Sequence, residues 1–259
     1  MSSTCRILSG FATDRGLVRA NNEDAVVHFT VDPGDSGPAV HLYVVADGMG
    51  GHRAGQTASA MAVASAREVL ASMPLEDLGR SLDRLFRRIN VEVIEAGRSD
   101  PELRGMGTTL TILAIRGCQA WIGHVGDSRV YRIRAQRMEQ LTQDDTLVAR
   151  LARQGMLSDQ EAARHPDRNL LVQAIGGQES VVVQVVGPIG VEDDDRFLLC
   201  TDGLFDVDDQ TIANTVLLND PQTACGLLVR LANATGGTDN TTVQVVHCVR
   251  VESSNGSRR

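Results

Sequence analysis

The run YVVADGMGG, residues 43–51, decides how the rest of the chain is read. An apolar, strand-type stretch runs straight into a carboxylate, Asp47, and the chain then becomes Gly48-Met49-Gly50-Gly51, almost bare backbone. A single Asp-Gly pair is an ordinary turn. The same design recurs, however, in IGHVGDSR at Asp127, in FLLCTDGLFD at Asp202, and in GGTDNTTVQVV, where Asp239 precedes its strand. The pair Glu23-Asp24 in RANNEDAVV introduces a further strand. Ionised carboxylates at the rim of a core are costly, and several together repel. If these strand ends converge, a cation must compensate them, and hard oxygen ligands select magnesium or manganese over zinc. Lacking a Cβ, Gly48 lets its carbonyl approach such an ion, so Asp47 is read as bridging two ions beside the Gly48 oxygen.

Working outward, alternating or continuous apolar segments predict strands near 5–12, 24–31, 40–46, 108–116, 119–125, 129–134, 181–186, 196–201 and 242–249. Residues 54–72 are rich in small helix formers. Leu78, Leu82, Leu85, Phe86, Ile89 and Val93 recur at a helical period within 75–97. Further helices fall around 144–155 and 206–235, and Ser158 to Glu161 is a capping box for a short helix ended by His165-Pro166. Strands, a helix pair, strands and helices in that order indicate an α+β layered sandwich in one domain, not a βαβ repeat. The polar excursion 143–177 is of the kind that frames a site, and the last residues are polar and frayed.

The chain has 259 residues, 42% of them hydrophobic, with no apolar run near twenty residues, so no membrane span is expected. MSSTCRILSG lacks the basic and apolar regions of a signal peptide, and the cytoplasm is the expected compartment. Five widely spaced cysteines with no CxxC pair read as buried thiols of a reduced compartment. All 25 basic residues are arginine, which excludes a Walker-type loop, a kinase ATP lysine and a Schiff-base lysine. A net charge of −8 with 3% aromatics argues against nucleic-acid binding.

RANNED (19–24), ADGMGG (46–51), GMGTTLT (105–111), GHVGDSR (123–129), CTDGLFD (200–206) and TDNTTV (238–243), in this order, resemble the motif set of the metal-dependent protein serine/threonine phosphatases of type 2C in their compact bacterial form. The resemblance implies a four-layer α-β-β-α sandwich with two central antiparallel sheets, a single catalytic domain over 6–250 and a flexible tail over 251–259. It implies a site holding two divalent cations, Mn2+ or Mg2+, with a third in bacterial members. Asp47 then matches the bridging aspartate, Gly48 the carbonyl ligand, and Asp202 and Asp239 ligands of the second ion. Glu23 and Asp24 match the acids that hold ion-bound waters, and Asp127 with Asp202 the third ion. Arg19 matches the arginine that grips the substrate phosphate, and 143–177 the variable flap, from which Asn169 can reach the third ion. The activity implied is hydrolysis of phosphoserine and phosphothreonine in proteins by water activated between two cations, opposing a cognate bacterial serine/threonine kinase.

Met49 stands where many eukaryotic relatives carry a histidine proposed as the acid for the leaving group, and a thioether donates no proton. His52 is the alternative candidate acid, beside an ion-bound water. His28, His41, His124 and His247 lie in strand-like runs without ligand spacing and read as structural. A serine esterase built on Gly126-Asp127-Ser128 is disfavoured because no histidine follows an aspartate at the D-x-x-H spacing, so Ser128 reads as a turn residue. Two relatives of the main reading stand beside it: a catalytically silent regulatory module of the same fold, which the retained acids oppose, and a phosphatase of anti-anti-sigma-type proteins.

Overall fold

The computed structural model describes residues 4–251 except 33, 35, 36, 51, 52 and 74. The tail expected over 251–259 therefore lies outside the described residues from 252 onward. The chain opens with β1 (Thr4–Asp14), β2 (Asp24–Val31) and β3 (Val40–Met49), then forms α1 (Arg53–Ser72) and α2 (Leu78–Ser99). The short β4 (Gly107–Thr108) leads into two hairpins, β5 (Leu110–Arg116) with β6 (Gln119–Val125) and β7 (Arg129–Arg134) with β8 (Arg137–Gln140). Two short helices, α3 (Leu147–Arg153) and α4 (Asp159–Arg164), occupy the excursion before β9 (Gln184–Gly190) and β10 (Asp195–Cys200). Finally α5 (Asp209–Leu218), α6 (Pro221–Ala234) and β11 (Thr241–Val251) close the fold.

Two antiparallel sheets result, one in the order β1-β11-β10-β7-β8, the other β2-β3-β5-β6-β9 with β4 on β3. The period of two along each strand builds the layers. On β3, Leu42, Val44 and Ala46 pack under the first helix pair, whereas Tyr43 and Val45 enter the core between the sheets beside Phe197 and Leu199 of β10. On β10 the intervening Leu198 and Cys200 turn instead to α5 and α6. Three apolar cores thus separate four layers, helices outside and sheets inside, as the motif resemblance implies.

The helices are anchored by local chemistry. Asp77 caps α2 by accepting from the Arg80 amide at 3.1 Å, and the α2 stripe Leu82, Leu85, Phe86 and Ile89 is buried on the sheet. Gly123 of β6 makes room for Phe86, since a Cβ there would meet the ring at 2.7 Å. The stretch expected to be helical over 206–235 divides where Asp220 caps a new helix with Pro221 in its first turn. The predicted capping box at Ser158 is formed, with Glu161 accepting from both the Ser158 amide and its hydroxyl. Among the described residues no helix is long and apolar enough to cross a membrane.

Candidate metal centre

Strand direction brings the acids together. Asp47, near the end of β3, stands directly opposite Asp24, which begins β2. β10 ends beside the start of β7 and the start of β11, so Asp127, Asp202 and Asp239 flank the same end of the sandwich. On β3 the side chain of Asp47 has the parity of Tyr43 and Val45, which points it toward the space between the sheets.

Neighbouring residues hold Asp47 and Asp24 in place. The Asp47 amide donates to Thr109 Oγ1 at 2.9 Å, and its carbonyl accepts from the Thr109 amide and the Thr108 hydroxyl at 2.8 and 2.9 Å. Thr109 in turn shares a 2.8 Å bond with Ser128, which is wholly buried and structural as expected, with no access to a substrate. Gly48 donates its amide to the Glu23 carbonyl at 3.1 Å, and a Cβ there would stand 2.1 Å from the Gly55 carbonyl oxygen in the first turn of α1. Glycine at 48 is therefore demanded by the close approach of α1, while the positive φ of 117° that favours glycine belongs to Gly50. Glu23 lies against the same helix turn, its Oε2 2.1 Å from where a Cβ on Gly55 would sit, and the positive end of the helix dipole favours that placement.

Asp24 accepts from the Thr201 hydroxyl at 2.9 Å, a bond that ties one sheet to the other, while its Oδ1 is buried with no hydrogen-bond partner. Asp202 Oδ1 is likewise buried and without a partner. Burial pushes the Asp24 carboxyl up to about 7 against the hydrogen bonds from Thr242 and Thr201. Burial and then the charge of Asp202 push Asp127 up to about 8. Asp202 is raised to about 6 by burial and Asp239. Asp47 is driven well above the carboxylate range by burial and then by Asp24, Asp202, Asp127 and Asp239. All of them cannot be ionised at neutral pH without added positive charge.

Two nearby arginines, Arg19 and Arg129, are already engaged. Arg19 Nη2 donates to Asp239 Oδ2 at 2.5 Å, at the mouth of the site. Arg129 grips Asp144 with Nε at 3.1 Å and Nη2 at 2.6 Å, and lies over the Phe205 ring at 3.6 Å. Two orphaned carboxylate oxygens, and raised acids facing one another, suit a divalent cation. Among the described residues no three His, Cys, Asp or Glu side chains are arranged to hold one ion as placed.

Beside the acids a cavity of about 580 Å³ extends to the flap, bounded by Asp127, Asp202, Asp239, Arg168, Asn169 and Phe205. Asn169 thus shares a wall with the proposed third-ion acids. Met49 is 38% exposed and pairs with Gly107, whereas His52, the candidate acid, lies outside the described residues. His124 is buried on Thr111 and His247 is bonded to Asp194, structural roles as expected.

Sequence reasoning passed over Asn240. Its Oδ1 accepts from the Glu23 amide at 2.7 Å, and its Nδ2 donates to the carbonyls of Arg15 and Asn21, both at 2.9 Å. This one amide shapes the loop that carries Arg19, Glu23 and Asp24. Its adjacency to Asp239 within TDNTTV was the available signal. Arg129, two residues after Asp127, was missed in the same way.

A two-sheet sandwich with helices outside and a rim of carboxylates at one end defines a class, and the protein phosphatase 2C family model matches residues 18–221. The chain belongs to that family. It is 38% identical to the serine/threonine protein phosphatase PstP of Mycobacterium tuberculosis over 92% of this chain, and spans 44% of that longer protein. It is 36% identical to the serine/threonine phosphatase stp of Listeria monocytogenes, covering 91% of this chain and 94% of that one. Among solved structures, the catalytic domain of PstP in complex with two manganese ions superposes with a TM-score of 0.79 at 35% identity, covering 94% of this chain and 100% of that one.

Proposed function

We propose that this chain hydrolyses phosphoserine and phosphothreonine in proteins with the help of divalent cations, two of them Mn2+ or Mg2+ and a third at Asp127 and Asp202. The supporting observation is the convergence of Asp24, Asp47, Asp127, Asp202 and Asp239 on one end of the sandwich, with buried oxygens of Asp24 and Asp202 lacking any partner. Asp47, the Gly48 carbonyl, Asp202 and Asp239 would hold the ions directly, and Glu23 and Asp24 would orient their waters. Bound there, the cations acidify water for attack and neutralise charge on the phosphoryl group.

The chain's own residues do the rest. Asp24, its carboxylate bonded by the Thr201 hydroxyl, and Asp47, its backbone held by Thr109, are set in place before charge builds, so little reorganisation accompanies reaction. Arg19, 53% exposed at the side chain, is placed to turn from Asp239 to a phosphate, its planar fork donating to two oxygens at once. The flap wall opposite, with Arg168 and Asn169, faces the protein part of the substrate. The catalytic domain spans 6–250, the compartment is the cytoplasm, and a cognate serine/threonine kinase supplies the phosphorylated substrates.

Turnover of a phosphothreonine peptide with Mn2+ tests this directly. It is expected to vanish with chelator and to fall by a factor on the order of 10² or more in Asp47→Asn. Turnover that persists in chelator, or is unmoved by that substitution, would overturn the proposal.

A further inference from the structure

At the end of the sandwich away from the carboxylates, two cysteines meet. Cys5 lies near the start of β1, opposite Arg250 of β11, and Cys118 sits in the turn between β5 and β6. Their Sγ atoms are 3.0 Å apart although the residues are 113 positions apart in sequence. Non-bonded heavy atoms ordinarily stand about 3.5–4.0 Å apart, and a disulfide needs about 2.05 Å. None of the five cysteines is joined in a disulfide, and both members of this pair are half-buried, within reach of a small reagent.

The surroundings hold the pair in place. Cys5 packs with Ile7 on the edge of the core between the sheets, and the Cys118 carbonyl accepts from the Val191 amide at 2.9 Å. β1 belongs to one sheet and the β5–β6 hairpin to the other. A bond between these sulfurs therefore links the two sheets covalently. Cys248, two strand positions from Cys5 across the β1–β11 ladder, is fully buried in the same core.

We propose that Cys5 and Cys118 form a reversible disulfide that staples the two sheets together at the end remote from the candidate metal centre, made by exchange with a small-molecule disulfide. One protein thiolate, Cys118 in the turn, attacks a sulfur of the small disulfide and expels one small thiolate, leaving a mixed disulfide on Cys118. The Cys5 thiolate then attacks the Cys118 sulfur and expels the second small thiolate. Two protein thiols lose two protons and two electrons, and the small disulfide is reduced to two thiols. Burial and the neighbouring Cys118 push the Cys5 thiol up to about 12, so exchange is slow at neutral pH and faster in alkali. Once formed, the bond closes a long loop and restricts the unfolded chain, which raises thermal stability.

The test uses the whole chain equilibrated with excess oxidised glutathione at mildly alkaline pH. The expected result is loss of two of the five thiols titratable in denaturant, a peptide map joining the Cys5 and Cys118 peptides, and a higher melting temperature that dithiothreitol reverses. Cys5→Ser and Cys118→Ser are each expected to abolish the rise, and Cys248→Ala to retain it. Five thiols left intact, a stable glutathione adduct on either cysteine, or a crosslink mapped to Cys248 would each overturn the proposal.

Discussion

Asp47 is constrained from several sides, each by a different neighbour. Its backbone is satisfied by Thr108 and Thr109, its side chain faces Asp24 across the ladder, and the next residue has no room for a Cβ. Gly48→Ala would drive a methyl group into the Gly55 carbonyl, and overpacking of this kind costs about 1–3 kcal/mol. Thermal denaturation should show that loss even in chelator, and an unchanged midpoint would mean α1 yields freely. Arg19 calls for a different readout. Arg19→Ala is expected to raise KM for a phosphopeptide roughly tenfold, a change of about 1.4 kcal/mol, while Mn2+ affinity changes little. An unchanged KM would remove Arg19 from the phosphate site.

Among the elements, the loop before β2 and the excursion before β9 border the site, and the first hangs on a single side chain. Asn240 fixes the first through three hydrogen bonds, leaving three backbone groups to find new partners if it is cut back. Asn240→Ala is expected to destabilise the chain by about 1–3 kcal/mol and to lower turnover, through misplacement of Glu23 and Asp24. Activity at the wild-type level in that variant would show that the loop holds its shape without the amide. The strands that carry the acids were legible in the sequence because an apolar run begins or ends abruptly beside each carboxylate. The ends of β9 were not. The sequence places that strand at 181–186, yet its hydrogen-bonding runs over Gln184–Gly190 because its pairing with β6 shifts register between Ala120 and Ile122. Cross-strand pairing of that kind leaves no mark on local alternation. The bond from Thr201 to Asp24 was equally hidden, since it joins residues 177 positions apart on different sheets.

Across the whole molecule, the sandwich works as a frame that forces like charges together at one end. The acids were readable one by one, and the motif resemblance supplied their grouping, but only the strand directions show why they share an end. Their mutual repulsion has a thermodynamic signature. Asp24 and Asp127 have pKa values of about 7 and about 8, against about 3.9 for an unfolded aspartate. A raised acid leaves stability intact below its unfolded pKa and removes it as pH rises through the folded one. In chelator, stability is therefore expected to increase by on the order of 1–2 kcal/mol as pH falls from about 8.5 to 7. That window lies above the range in which His41 and His124, both lowered by burial, would gain protons in the unfolded chain. A melting temperature that is flat or falls over the same interval would show that the acids are not strained together. Saturating Mn2+ should reduce the slope, because it keeps the native acids ionised, and leave the part due to Cys5, Cys200, Cys225 and Cys248, whose thiols burial holds up while the unfolded thiols ionise. The most direct measurement is calorimetric titration of the purified chain with Mn2+ at neutral pH. The expected result is uptake of at least two ions per chain, with the tightest lost in Asp47→Asn, and absence of any uptake by the wild-type chain would contradict the cation site from which the proposed chemistry follows.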